Sequence, residues 1–428
     1  MKKIIFTGRL LAASVAAGLV LAPAAADAAA HTSIQLQRAV EIGLPPNIQS
    51  TAEDSILAVS CSQAGSCTAG GVYDGSVSQA FVVTESNGHW RTPRSLVMPP
   101  EGNFEPPGQV DGIACTTPGN CVAVGLYFVG QPITGSLPFV AGQSHGTWGE
   151  AHTIKLPKGA LEQNAFSGLN SVSCPAPGSC FAVGVYEDNL GHEQAMRVTE
   201  TKGKWAQAVR LGEPVNVGKD PKAFMGQMSC TKSGSCVAVG SYLDTGGNTQ
   251  AVVFSRSGGK WHSGAEVKLP GDAASDPKAL LNSASCPATG PCTAVGNYQN
   301  SKAVAMPMTM TVSGGKLSAA RAVTLVPAGA SAQPAQSFWS VACPAAGACV
   351  AAGRYKTSAG RLAPMLLTQS GGKWTSAASI GLPKDASTSV MQFATPRSAT
   401  CTSTGYCAVV GIYLSTTAGR SFAATTKP

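Results

Sequence analysis

The stretch Ser173-Cys-Pro-Ala-Pro-Gly-Ser-Cys-Phe-Ala-Val-Gly-Val-Tyr186 sets the plan of the whole chain. The same pattern returns around Cys61, Cys115, Cys174, Cys230, Cys286, Cys343 and Cys401. Each time a second cysteine follows six residues later, at Cys67, Cys121, Cys180, Cys236, Cys292, Cys349 and Cys407. Four residues further stands a glycine (Gly71, Gly125, Gly184, Gly240, Gly296, Gly353, Gly411). Two beyond that stands a tyrosine (Tyr73, Tyr127, Tyr186, Tyr242, Tyr298, Tyr355, Tyr413). The pairs use all 14 cysteines.

Successive first cysteines are 54, 59, 56, 56, 57 and 58 residues apart. A period this long, with no helical periodicity, marks a supersecondary unit copied around a ring or along a stack. Each unit reads as four short strands. In the third copy these are Leu169–Cys174, Cys180–Tyr186, Gln194–Thr199 and Lys204–Leu211. Asn87-Gly88, Gly258-Gly259, Gly314-Gly315 and Gly371-Gly372 supply hairpin turns before the fourth strand. A tryptophan follows the turn (Trp90, Trp148, Trp205, Trp261, Trp374), with Leu317 in the fifth copy. These tryptophans and the seven tyrosines are expected as core anchors between sheets. The repeated glycine should mark a bulge or a close approach of backbones.

A lone four-stranded sheet with two apolar faces is unstable, and radial packing covers both faces. A linear stack would need distinct capping units. The seventh copy has three strands and ends near Ser421–Thr425, without a fourth. The missing strand stands at the other end of the sequence, where Leu36–Gly43 aligns with Trp205–Gly212. Leu44-Pro45 repeats the Leu-Pro found after the fourth strand at Leu156-Pro157, Leu269-Pro270 and Leu382-Pro383. The expected fold is therefore all-β: a seven-bladed β-propeller of four antiparallel strands per blade, with one local disulfide per blade and an N-terminal strand closing the last blade. The propeller should occupy residues 31–428 as one domain. The Pro/Ala/Ser-rich segment Val326–Gln336 is expected to be a connection between blades.

Residues 1–28 have the pattern of a secretory signal peptide: Lys2 and Lys3, an apolar run from Leu10 to Ala22, and Ala26-Asp27-Ala28. The apolar run is too short to span a bilayer comfortably, and no membrane span is expected elsewhere. A secreted, extracellular location suits an even cysteine count in fixed pairs, read as disulfides rather than zinc sites. The six histidines show no ligand spacing beside the pairs. No metal and no cofactor is expected. The leader carries off Lys2, Lys3, Arg9 and Asp27, so the net charge of +8 falls to +6. The positive residues are scattered, which implies no nucleic-acid partner. A monomer is expected.

The chain resembles a secreted bacterial seven-bladed β-propeller over essentially all of residues 33–428. Ser255-Arg-Ser-Gly-Gly-Lys-Trp261 is similar to a degenerate form of the Asp-box hairpin of sialidase-like propellers, lacking the aspartate that names the box. The resemblance implies architecture; fold alone does not carry function.

A ligand is expected at one mouth of the channel. The residue four before each first cysteine should lie on the innermost strand there: Leu57, Asp111, Asn170, Gly226, Asn282, Trp339 and Arg397. This variable, partly polar ring sits on a regular scaffold, apolar one residue earlier in six of the seven copies and small or apolar two residues later. Asp111, Asn170, Asn282, Trp339 and Arg397 are the candidate ligand-binding residues. No catalytic residue is assigned. Glycoside hydrolysis needs two facing carboxylates, and Asp54, Glu105, Asp111 and Glu162 on the rim give no evident pair. Three readings follow: a non-catalytic binding module for an extracellular glycan or protein, a carbohydrate-active hydrolase or lyase at the channel mouth, or a structural cell-envelope protein.

Overall fold

The computed structural model describes residues 34–46, 48, 52–75, 78–100, 106–130, 132–161, 165–333, 336–389 and 391–427. The expected signal peptide, Glu105 and Glu162 lie outside them. Seven antiparallel sheets form the ring, numbered here as blades one to seven in chain order. Their inner strands are Glu53–Gln63, Gly108–Thr117, Gly168–Ala176, Phe224–Cys230, Leu280–Ser285, Ser337–Ala345 and Ala394–Cys401. Among the described residues no helix is long and apolar enough to cross a membrane.

The core is distributed over seven apolar clusters, each between one blade and the next. The tyrosine rings belong to these clusters and are at most 3% exposed. Among the described residues the hydroxyls of all but Tyr186 reach polar partners, as in Tyr298 to Asp272 Oδ1 (2.8 Å) and Tyr413 to Asp385 Oδ1 (2.9 Å). The five tryptophans and Leu317 pack partly buried against the same clusters, as the sequence pattern predicts. All seven disulfides join cysteines six apart within one hairpin.

The fourth strand departs from expectation in one respect. It is not continuous from Lys204 to Leu211 but forms two short pieces, Lys204–Trp205 and Val209–Arg210, both paired with the third strand. Their registers differ by one residue, so a bulge separates them, and blades one, two, four and five repeat the pattern. In blade six the strand runs unbroken over Lys373–Ser379 but shifts register at the same place. The extra residue strengthens the twist of the outer edge. It also leaves the Ala208 N–H to donate across to Lys155 O in blade two (2.9 Å).

Blade seven is completed by the N-terminal strand. Val40–Ile42 pairs with Gly419–Thr425, setting Val40 opposite Ala423 and Ile42 opposite Ser421. The Gln37 N–H extends the ladder to Thr425 O (2.7 Å), again one residue out of register. The proline carbonyl of each Leu-Pro signal accepts from the residue three later, as in Ala160 to Pro157 and Ala386 to Pro383. The turns after Pro157, Pro270 and Pro383 then bridge to the loop between the second and third strands of the blade they enter, as Ala160 does with Asp188 and Ala386 with Ser415. The segment Val326–Gln336 does the same through Ala330 and Thr357.

Candidate functional site at the channel mouth

The seven positions four before each first cysteine share a structural cause. Six of them are the extra residue of a bulge in the inner strand, lying between Ile56/Ala58, Val110/Gly112, Leu169/Ser171, Leu281/Ser283, Phe338/Ser340 and Pro396/Ser398. The seventh, Gly226, falls in the equivalent shift between Met225 and Met228. Strand side chains alternate in direction. One inserted residue lets the positions on both sides, such as Leu169 and Val172, face the same apolar cluster. The repeated glycine opposite the bulge makes it possible. A Cβ on Gly184 would lie 2.0 Å from Gly168 O, and the other six glycines are as crowded, at 1.9–2.3 Å. The bulge residue is thus released from the ladder, and its side chain is free of the core.

Below this ring the inner strands enclose a channel of ≈ 270 Å³ lined mainly by polar atoms. Two rings of hydroxyls tie neighbouring blades together there. The Cys115, Cys230, Cys286 and Cys343 N–H groups donate to Ser60, Ser173, Ser229 and Ser285 Oγ of the preceding blade, at 2.9–3.0 Å. One level up, Met228, Val341 and Ala399 N–H donate to Ser171, Ser283 and Ser340 Oγ at 2.9–3.1 Å. At this level Ala58, Gly112 and Gln227 replace serine, and only Gln227 brings a polar side chain. Its Oε1 accepts from Ser283 Oγ (2.8 Å) and Ser340 Oγ (2.9 Å), and its Nε2 reaches Ser398 Oγ (3.3 Å). One amide from blade four therefore spans the channel to blades five, six and seven.

The candidate residues do not form one cluster. Asn282 is buried, and its Nδ2 donates to Phe338 O (2.6 Å), an inter-blade strut shared with Asn297. Asn170 stands apart with its Oδ1 buried and making no hydrogen bond. Asp111 lines the channel and accepts from Gln109 Nε2 (2.9 Å). Its carboxyl is pushed up to about 7 because the surrounding strands strip it of bulk water, only partly offset by that bond.

Trp339 and Arg397, from the bulges of blades six and seven, do come together. The Arg397 guanidinium lies 4.9 Å from the Trp339 ring centre, and the Trp339 Nε1 donates to Ser337 Oγ (3.2 Å). A residue the ring pattern does not contain joins them. Arg354 lies 5.8 Å from the same ring centre and donates through Nη1 to Thr395 Oγ1 (3.2 Å). Its signal was present: Arg354 directly follows the repeated glycine, where the other copies have Val72, Leu126, Val185, Ser241, Asn297 and Ile412. Burial pulls both guanidiniums below their ordinary value, and Arg397 is lowered further by the Arg354 charge. Both remain cationic, since a guanidinium does not lose its proton in proteins. Among the described residues neither makes an ion pair. The Arg397 Nε is buried without an acceptor. Two desolvated cations fixed on one indole are suited to an oxyanion with two acceptor oxygens.

The single group of possible metal ligands among the described residues is Cys61, Cys67 and Glu85. Its sulfurs are joined in a disulfide, and Glu85 Oε1 accepts from Tyr406 OH (2.7 Å).

No protein-family model and no curated protein matches this chain. Solved structures do match. An ulvan lyase of polysaccharide lyase family PL25 is 9% identical, with a TM-score of 0.50, over 91% of this chain and 95% of its own. A protein of unknown function from Dyadobacter fermentans is 10% identical, with a TM-score of 0.49, over 92% and 98%. The Hadza microbial sialidase Hz136 is 11% identical, with a TM-score of 0.45, over 82% and 73%. The class defined by fold is a seven-bladed β-propeller, and at these identities the likeness is one of fold alone.

Proposed function

We propose that the protein is a secreted, non-catalytic binding module that holds an acidic sugar of an extracellular glycan at its channel mouth. The observation that carries this reading is the pair Arg354 and Arg397, both beside Trp339 and without a counter-carboxylate among the described residues. With the indole ring engaged by guanidinium, Trp339 acts as their support rather than as an open sugar platform. The glycan class is taken from chemistry that suits a carboxylate or sulfate ester. It also agrees with the polysaccharide lyase that shares the fold. Seven disulfides in hairpins support an oxidising compartment and, with it, residues 1–28 as a leader and 31–428 as the mature domain.

A second reading, a lyase or hydrolase, is favoured by Asp111, whose carboxyl at about 7 is suited to accept a proton at neutral pH. Binding and turnover of acidic oligosaccharides decide between the two. The binding reading expects affinity that falls about tenfold or more in Arg397→Ala, with no bond cleavage. Cleavage lost in Asp111→Asn would replace it with the enzymatic reading. Absence of binding to any acidic glycan would remove both.

A further inference from the structure

A second charged recess lies between blades three and four, outside the channel. It encloses ≈ 440 Å³ and is lined by Phe181, Arg197, Thr199, Arg256, Lys260 and Trp261, with Gly259 at its edge. Arg197 occupies an unusual register. It pairs with the residue before the repeated glycine, a place held in the other six blades by Val82, Val140, Val253, Thr309, Leu366 and Ala423. Those positions face the next blade, where Val82, Val140, Val253, Leu366 and Ala423 belong to the inter-blade clusters. At the blade three–four interface a guanidinium stands instead.

Arg256 comes to meet it from blade four. Its guanidinium lies 4.4 Å from the Phe181 ring centre and donates to Gly234 O. Burial, and then the Arg256 charge, pull Arg197 below its ordinary value. Lys260 adds a third positive charge at the edge. No acidic side chain lines the recess, and among the described residues none of the three cations makes an ion pair. Placing like charges together at a packed interface costs stability unless something neutralises them. Guanidiniums beside aromatic rings suit an oxyanion carried on a ring with an apolar face.

We infer that the recess between blades three and four is a second binding site, taking the carboxylate or sulfate of an acidic sugar whose ring rests against Trp261. Arg197 and Arg256 hold the oxyanion, and Lys260 draws it in.

The repeat supplies variants that keep the fold. Arg197→Val installs the residue of blades one, two and four, and Trp261→Leu installs that of blade five, Leu317. The mature protein is titrated with a sulfated tetrasaccharide and with an oligogalacturonate of equal length, reading indole fluorescence. The part of the response that Trp261→Leu removes reports this recess. In Arg197→Val that part should need about tenfold more saccharide, while Arg397→Ala leaves it unchanged and so separates it from the channel mouth. A response to the sulfated sugar assigns a sulfate ester, and one to the galacturonate assigns a uronate. No Trp261-dependent response to either saccharide, an unaltered affinity in Arg197→Val, or loss of the response in Arg397→Ala overturns the proposal.

Discussion

Arg420 Nη1 lies 3.6 Å from Asp54 Oδ1, a pair in which Arg420 is 5% and Asp54 4% exposed. One residue belongs to the third strand of the last blade and the other to the inner strand of the first. Arg420 also faces Glu41 of the closing strand, at 3.6 Å, and donates to Ala52 O. The Ser421 N–H completes the junction by donating to Asp54 Oδ2 (2.9 Å). The seam of the ring is thus fastened electrostatically as well as by the strand ladder.

Removing one partner of a buried pair strands the other charge, which costs about 3–5 kcal/mol. Arg420→Ala should lower stability by that amount at pH 8, measured by urea unfolding. The loss should shrink at pH 5, where Asp54 can take up a proton. An equal loss at both pH values would count against the pairing.

Burial raises Asp54 to about 6 from an ordinary value of 3.8, against the lowering pull of the Ser421 bond and of Arg420. The folded state therefore binds a proton that the unfolded chain has already released, and stability falls as pH rises from about 4 to about 6. Asp111 extends the fall to about 7. Melting curves between pH 4 and 8 should show this decline. Asp54→Asn should flatten its lower half, and a parent protein more stable at pH 7 than at pH 5 would contradict the assignment.

Two glycines give opposite forecasts. Gly184→Ala would drive a Cβ to 2.0 Å from Gly168 O and should cost at least about 3 kcal/mol. Gly142 also lies in a strand, but nothing stands within 4 Å of its would-be Cβ. Gly142→Ala should change stability by less than about 1 kcal/mol, on the favourable side. Chemical denaturation of both variants checks the contrast.

Gln227→Ala removes one acceptor shared by two hydroxyls and a donor to a third. At about 1 kcal/mol per bond the loss should be about 3 kcal/mol, with the channel opened between blades four and seven. Unchanged stability would mean that the amide bridge contributes nothing.

The large-scale plan was legible because it is written seven times: cysteine spacing gave the hairpins, and the Leu36–Gly43 alignment gave the closure. The repeated glycine signals a bulge or a close approach, and the variable residue four before each first cysteine marks its ring. Its positions were found, but the reason for them lay in the clash between the repeated glycine and a carbonyl on the partner strand. Arg354 and Gln227 escaped because each is a single departure from a repeat, informative only once the neighbour it meets is known. The broken fourth strand was hidden too, since one extra residue in an exposed edge leaves the apolar pattern almost untouched.

The closing strand also has a temporal meaning. Val40–Ile42 has no partner in its own neighbourhood and must wait for Gly419–Thr425, so the largest loop in the molecule closes only at that step. Six blades can form in order before this strand finds its partner, so the seam between blades seven and one is the last place the ring becomes continuous.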